Sequence, residues 1–216
     1  MKRYQRIIKI IISTLIVLAV IYCSVYFRPL NRVLEERQLN EFKPREYARY
    51  YWDKVLADEA VKSVDASELI DLLRKNPDRA FKQYGKTLGI SDVSNFLMKG
   101  RAQVNAVFEE FMELMLCNSK DRLYLKTGMV FGNILRDCTG KIKMDDFTKS
   151  MDFNNISVEI NRIVNIEIIP ELKQKVMPDD FVYFEGATGV LKGTTDSIKI
   201  ELIPIRIILI DDCKQK

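Results

Sequence analysis

Apolar and polar positions fall into three regimes along this chain. From Ile10 to Phe27, 18 consecutive residues carry no charge and no proline. At about 1.5 Å of rise per residue such a run reaches about 27 Å, near the hydrocarbon thickness of a bilayer, and it predicts a transmembrane helix. From Pro44 the period becomes helical: Ala48, Trp52, Val55, Leu56 and Ala60 form one stripe. Asp65 with Glu68 reads as a capping box before Leu69, Ile70, Leu72 and Leu73. Asn76-Pro77 opens a short helix that Gly85 ends.

After Gly89 the period falls to two. Phe96, Met98, Ala102, Val104, Ala106 and Phe108 predict a strand bent at Gly100, and Phe111 to Cys117 a second. A third is expected from Leu123 through Leu135, kinked at Gly128 and Gly132. Ile156, Ile160, Ile163, Val164 and Ile168 then recur at helical spacing in a helix capped by Asn154 or Asn155, with Pro170 interrupting it near its end. Phe181 to Ala187 and Ser197 to Ile210 supply two more strands, with a bulge and an edge position at Pro204. Three strands, a helix and two strands is the order of an OB-fold. The expected class is therefore α+β: an N-terminal transmembrane helix, a small helical subdomain, then an OB-like five-stranded barrel with a helix between strands 3 and 4. The boundaries are 1–27 for a membrane anchor or signal, 28–43 for a stalk, 44–89 for the helices and 90–212 for the barrel.

Charge sharpens the reading of the first regime. Lys2, Arg3, Arg6 and Lys9 precede the apolar run, Arg28 and Arg32 follow it, and no acid lies before it. The positive-inside rule then predicts a cytoplasmic N-terminus and an extracytoplasmic remainder. An uncleaved signal anchor is the expectation. The competing readings are ordinary cleavage and lipidation at Cys23, the latter opposed by Tyr22, which stands where a lipoprotein signal wants a small residue. Those four basic residues account for the whole net charge of +4, so the rest is formally neutral and nucleic acid is not an expected partner.

The chain has no histidine, which excludes Ser-His-Asp and Cys-His catalysis and most zinc sites. Its four cysteines have no C-x-x-C spacing, so neither a metal nor any other cofactor is implied. Cys117 and Cys138 either pair as a disulfide or stay free as small buried hydrophobes.

Several segments in this order resemble a bacterial family of predicted periplasmic lipoproteins of unknown function: Tyr47–Lys54, Phe81–Gly85, Phe96–Val104, Gly132–Asp137 and Asp145–Thr148, with Ile203-Pro204-Ile205 resembling its closing strand. The resemblance implies a helical part joined to an OB-like barrel, and genes often found beside those of sugar-uptake transporters. It carries over no catalytic residue. It marks Cys23 as the position of a lipidated cysteine.

Candidate contact residues are few. Trp52, Tyr47 and Tyr51 would stack on a sugar if exposed, though a lone tryptophan in an apolar stripe is more often core. Arg136 and Asp137 would hold a carboxylate or hydroxyl at a barrel rim, against a plainer pairing of Arg136 with Asp145 or Asp146. Lys99-Gly100-Arg101 would suit a phosphate. The acid pairs Asp145-Asp146 and Asp179-Asp180 lack calcium-loop spacing and read as loop acids. The expected function is a membrane-tethered, non-enzymatic binding or accessory module, with transporter or solute-binding components as partners. The alternatives are a carbohydrate-active enzyme using two carboxylates and a structural envelope protein.

Overall fold

The computed structural model describes residues 2–24, 42–193 and 199–213, and the chain divides into two compact units, Met1–Phe42 and Lys43–Lys216. In the first unit, helix α1 spans Lys2–Ser24. It corrects the expected transmembrane span: among the described residues no helix is long and apolar enough to cross a membrane. Its described charge-free part is short. Lys9 lies inside the helix, and the charge-free part from Ile10 to Ser24 reaches roughly 22 Å against a hydrocarbon core of about 30 Å. The expected signal anchor and its orientation fall with the span. Residues 25–27 of the apolar run, most of the expected stalk and the Cys23 side chain lie outside the described residues.

In the second unit Pro44 opens α2 (Pro44–Tyr50), which passes through a π-helical turn at Tyr51–Leu56 into α3 (Ala57–Val61). The predicted stripe is buried at Ala48, Trp52, Leu56 and Ala60. Strand β1 (Val64–Asp65) follows, and Asp65 caps α4 (Ala66–Lys75) by accepting from the Ser67 amide at 2.8 Å. Asn76 accepts from the Arg79 amide at 3.1 Å and opens α5 (Pro77–Gln83). Both caps satisfy amides that a helix start leaves without intrahelical partners.

The sheet has six strands: β1, β2 (Val93–Val107), β3 (Phe111–Leu116), β4 (Arg122–Lys126), β5 (Phe181–Leu191) and β6 (Glu201–Ile210). The two-residue β1, read from sequence only as a helix cap, adds parallel to β2 at Met98 and Lys99. The other five close into a barrel in the order β2-β3-β4-β6-β5, with β5 returning to β2. This is OB topology, with antiparallel neighbours except for a short parallel pairing of β4 with β6. Strand β2 serves both sides by pairing with β5 through Gln103 and with β3 from Ala102. Gly100 permits this, since a side chain there would press on the Phe184 ring. The barrel core comprises Phe96, Met98, Val104, Leu114, Leu125, Phe184 and Leu202, closed by Leu69 and Leu73 of α4 and by Leu172 and Val176.

One expected strand changes here. The third strand stops at Lys126, not Leu135. Its amide neighbours Thr127 and Gly128 both donate to the Glu110 carbonyl at 2.9 Å, which turns the chain away. Val130 is then held by a side chain in place of a strand: it donates to and accepts from the Asn165 amide at 2.8 and 2.9 Å. Its neighbours Met129 and Phe131 point outward, so the loop carries a strand-like alternation without a sheet partner. Residues Ile134–Asp137 form a short helix, α6.

Helix α7 (Ser150–Ile163) passes through a π turn at Val164–Ile168 into α8 (Ile169–Lys175). Pro170 does not break it, because the Ile169 amide reaches five residues back to the Val164 carbonyl and widens the turn ahead of the ring. The bulge near Pro204 is present as a register shift between Glu185 and Gly186 on the partner strand. The disulfide joins Cys117 to Cys213, not to Cys138, which is free and buried. It ties the chain just after β3 to the chain just after β6.

Candidate functional site

Five expected contact residues divide between two places. Tyr51, Arg136 and Asp137 meet in a sealed cluster with Tyr47 at its margin. The Tyr51 hydroxyl lies 3.1 Å and 3.2 Å from the carbonyls of Leu135 and Arg136 and 2.8 Å from the Thr139 hydroxyl. Burial drives its pKa far above the ordinary tyrosine value. Arg136 donates through Nε and Nη2 to both Asp137 oxygens at 2.6 and 3.1 Å, through Nη1 to the Phe153 carbonyl, and stacks 3.6 Å from the Phe153 ring centroid. It is 1% exposed. Its partner is therefore its sequence neighbour rather than Asp145 or Asp146, because the single turn of α6 brings both side chains inward together. Asp146 accepts from the Lys143 amide and Asp180 from the Met177 amide, so one acid of each pair organises a local turn. Lys99 donates to the Val61 carbonyl. Tyr47 packs edge-on to Phe147 at 5.7 Å. Burial lifts the Cys138 thiol well above its usual range, which makes it an inert packing group.

Trp52 lies elsewhere. It lines a groove of about 580 Å³ between the helices and β6. Ile168, Leu172 and Val176 form one wall, and Ile205 through Leu209 the other. Trp52 and Ile168 both come from π-helical turns, local expansions that recur at functional sites. On the sheet side Glu185 and Arg206 also line the groove, with Tyr183 bonded to Glu185. Glu185 is 1% exposed. Arg206 donates to it through Nε at 2.9 Å and Nη2 at 2.6 Å, and the Tyr183 hydroxyl donates at 2.9 Å. Burial, the hydrogen bond and the Glu185 charge push Tyr183 up to about 12. The Arg206 side chain remains 46% exposed and faces the groove. An apolar concavity with a few convergent polar groups is the usual form of a binding site.

Sequence reasoning missed Tyr183, Glu185 and Arg206. Their signal was weak but present: Glu185 and Arg206 are each the one charge in the middle of a largely apolar strand, which calls for a partner. It also missed a ring series on the outer face of β3 and β4. Phe108 and Phe111 lie 4.6 Å apart, Phe111 and Tyr124 5.6 Å apart, and Lys199 sits 4.7 Å from the Tyr124 ring centroid.

The family model described as "Predicted periplasmic lipoprotein (DUF2291)" matches residues 15–208. The chain belongs to this family. Among solved structures, this predicted periplasmic lipoprotein is similar to an OB-fold protein of Thermotoga maritima, with 27% identity and a TM-score of 0.69. That match covers 79% of this chain and 99% of the other. No curated protein matches. Family membership carries an extracytoplasmic, membrane-associated location, with which a disulfide agrees.

Proposed function

We propose that this lipoprotein is a non-enzymatic binding module whose ligand or partner enters the groove between α8 and β6. The observation that carries the reading is the joining of apolar walls to the half-open Glu185–Arg206 pair, to which Tyr183 is bonded. The carboxylates there are poorly suited to acid–base work. Both Glu185 oxygens are engaged, and Glu171 at the rim is held by Lys175 at 2.6 Å. A lipid on Cys23 supplies the membrane tether in this account, supported by the family description. A role beside a solute or sugar transporter rests on the genomic company that the resemblance implies.

A photo-crosslinking residue at Leu209, 47% exposed in the groove, tests the proposal in cells, with Ile90, fully exposed elsewhere, as control. A discrete adduct from position 209 alone is the expected result, and a transporter or solute-binding component in it supports the uptake role. Equal labelling from both positions, or none from 209, overturns the groove. A second reading, contact with a neutral polyol, is favoured by the ring series of Phe111 and Tyr124, since rings flanked by Lys199 and Glu201 offer stacking together with hydrogen bonding.

A further inference from the structure

The groove has a property that a small-molecule pocket does not need. Five consecutive residues of β6, Ile205 to Leu209, line it. Side chains on a strand alternate between faces, so five in a row border one groove only when it runs along the strand's backbone edge.

That edge is open among the described residues. Strand β4 pairs with β6 only at Glu201 and Leu202, and from Ile203 onward β5 is the strand recorded beside β6. In an antiparallel ladder every second residue directs its N–H and C=O away from the partner strand. From Arg206 to Leu209, beyond the bulge that leaves Ile205 unpaired, this alternation directs every second residue's groups to the side away from β5. Natural edges are blunted by charges, prolines or coverings. Here Pro204 guards only the start. Arg206 is the one charge, and Glu185 holds it. Ile208 and Leu209 stand 46% and 47% exposed.

We propose, resting on the groove's being the binding site, that it receives an extended peptide segment of another envelope protein, which adds to β6 as a strand. Backbone donors and acceptors along the edge call for a backbone ligand, which a sugar or a fatty acid does not supply. The opposite wall sets the pattern. Ile168, half-buried at the groove with Leu172 and Val176 beneath it, takes every second side chain, while the others face water, so the segment alternates apolar and polar residues. The rim pair Glu171–Lys175 adds no net charge. A second copy of this chain is a poor occupant, because its own β6 edge lies recessed beside its own α8, whereas a free strand can lie between the walls. Five residues at about 3.3 Å each give a contact roughly 17 Å long.

The test is a displayed octapeptide library selected on the full-length protein, with the Ile208→Lys protein as counter-target. Enriched sequences are then synthesised with N-methyl groups on odd or on even residues. Alternating peptides are expected, bound at least tenfold more weakly by Ile208→Lys. One N-methyl phase abolishes binding and the other does not, and amide exchange slows at alternate residues between Ile205 and Leu209. Peptides that quench Trp52 but tolerate both N-methyl phases overturn the strand addition while leaving the groove as a site. No enrichment over the Ile208→Lys protein overturns peptide recognition altogether, while the cellular crosslink at Leu209 still reports on the groove. A dimer that Ile208→Lys dissolves overturns it in favour of self-pairing.

Discussion

The two polar clusters of the barrel unit contain the same three kinds of residue in opposite circumstances. Arg136, Asp137 and Tyr51 are sealed: every described donor ends on a protein acceptor, and Phe153 covers the guanidinium. Arg206, Glu185 and Tyr183 bury the carboxylate but leave the arginine half in water at a groove. A guanidinium, a carboxylate and a phenol therefore do not by themselves mark a site. What separates structure from recognition is whether one member still faces an unfilled space.

The largest break in that comparison comes from the sealed side. Arg136→Met leaves Asp137 charged and buried without a partner, and should cost about 3–5 kcal/mol in denaturant unfolding. Arg206→Met should cost less, about 1–3 kcal/mol, since Tyr183 still donates to Glu185 and loss of the half-exposed guanidinium opens the carboxylate to the groove, while groove binding weakens strongly. Equal losses of stability would dissolve the distinction. Next is the disulfide that anchors the end of β6. Cys213→Ser should lower stability by about 2–5 kcal/mol, because the bridge closes a loop of 96 residues' separation. Amide exchange should rise along β6 and hardly at all around Arg136.

The smallest effects separate the phenols. Tyr51→Phe removes a hydroxyl with three buried neighbours and should cost about 1–2 kcal/mol, and Tyr183→Phe less than about 1 kcal/mol. The pH dependence follows from raised pKa values. Tyr183 moves from the ordinary 10.0 to about 12 in the folded protein. Folding therefore keeps its proton: this contribution is complete below pH 10 and is lost as pH rises towards 12. Tyr51 acts in the same direction. Alkaline unfolding curves should lose part of their decline between these limits in Tyr183→Phe, and an unchanged curve would mean that the phenol is not shielded.

Much of the fold was legible because local rules and tertiary needs agreed. Asp65 and Asn76 cap helices as their spacing implies, the Ala48–Ala60 stripe is buried, and the strand–helix–strand order closes as an OB barrel. Legibility failed where a side chain replaced a backbone partner. Asn165 holds Val130 as a strand would, so the Met129–Phe131 alternation resembled sheet. It failed again where a π turn absorbed Pro170. The apolar run suggested a span because it is free of charge over 18 residues, whereas the described helix Lys2–Ser24 holds only part of that run, together with Lys9. Of the candidate residues, Trp52 lines the groove from the π-helical turn between α2 and α3. Tyr51, Arg136 and Asp137 are interior, since α6 replaces the expected strand rim. Glu185 and Arg206 become partners through the β5–β6 register, and each strand alone shows only a charge among apolar neighbours.

Trp52 is the only tryptophan in the chain and lines the groove, so its emission is sensitive to what binds there, and the Leu209→Lys protein assigns the signal to that space. The most direct measurement is its fluorescence during titration with 1-anilinonaphthalene-8-sulfonate, an apolar probe with one anionic group, on the native protein and on Leu209→Lys. The account predicts saturable quenching by one equivalent, weakened about tenfold by the substitution with the fold unchanged. Dye that binds without affecting Trp52, or affinity indifferent to Leu209→Lys, would contradict a binding groove at β6.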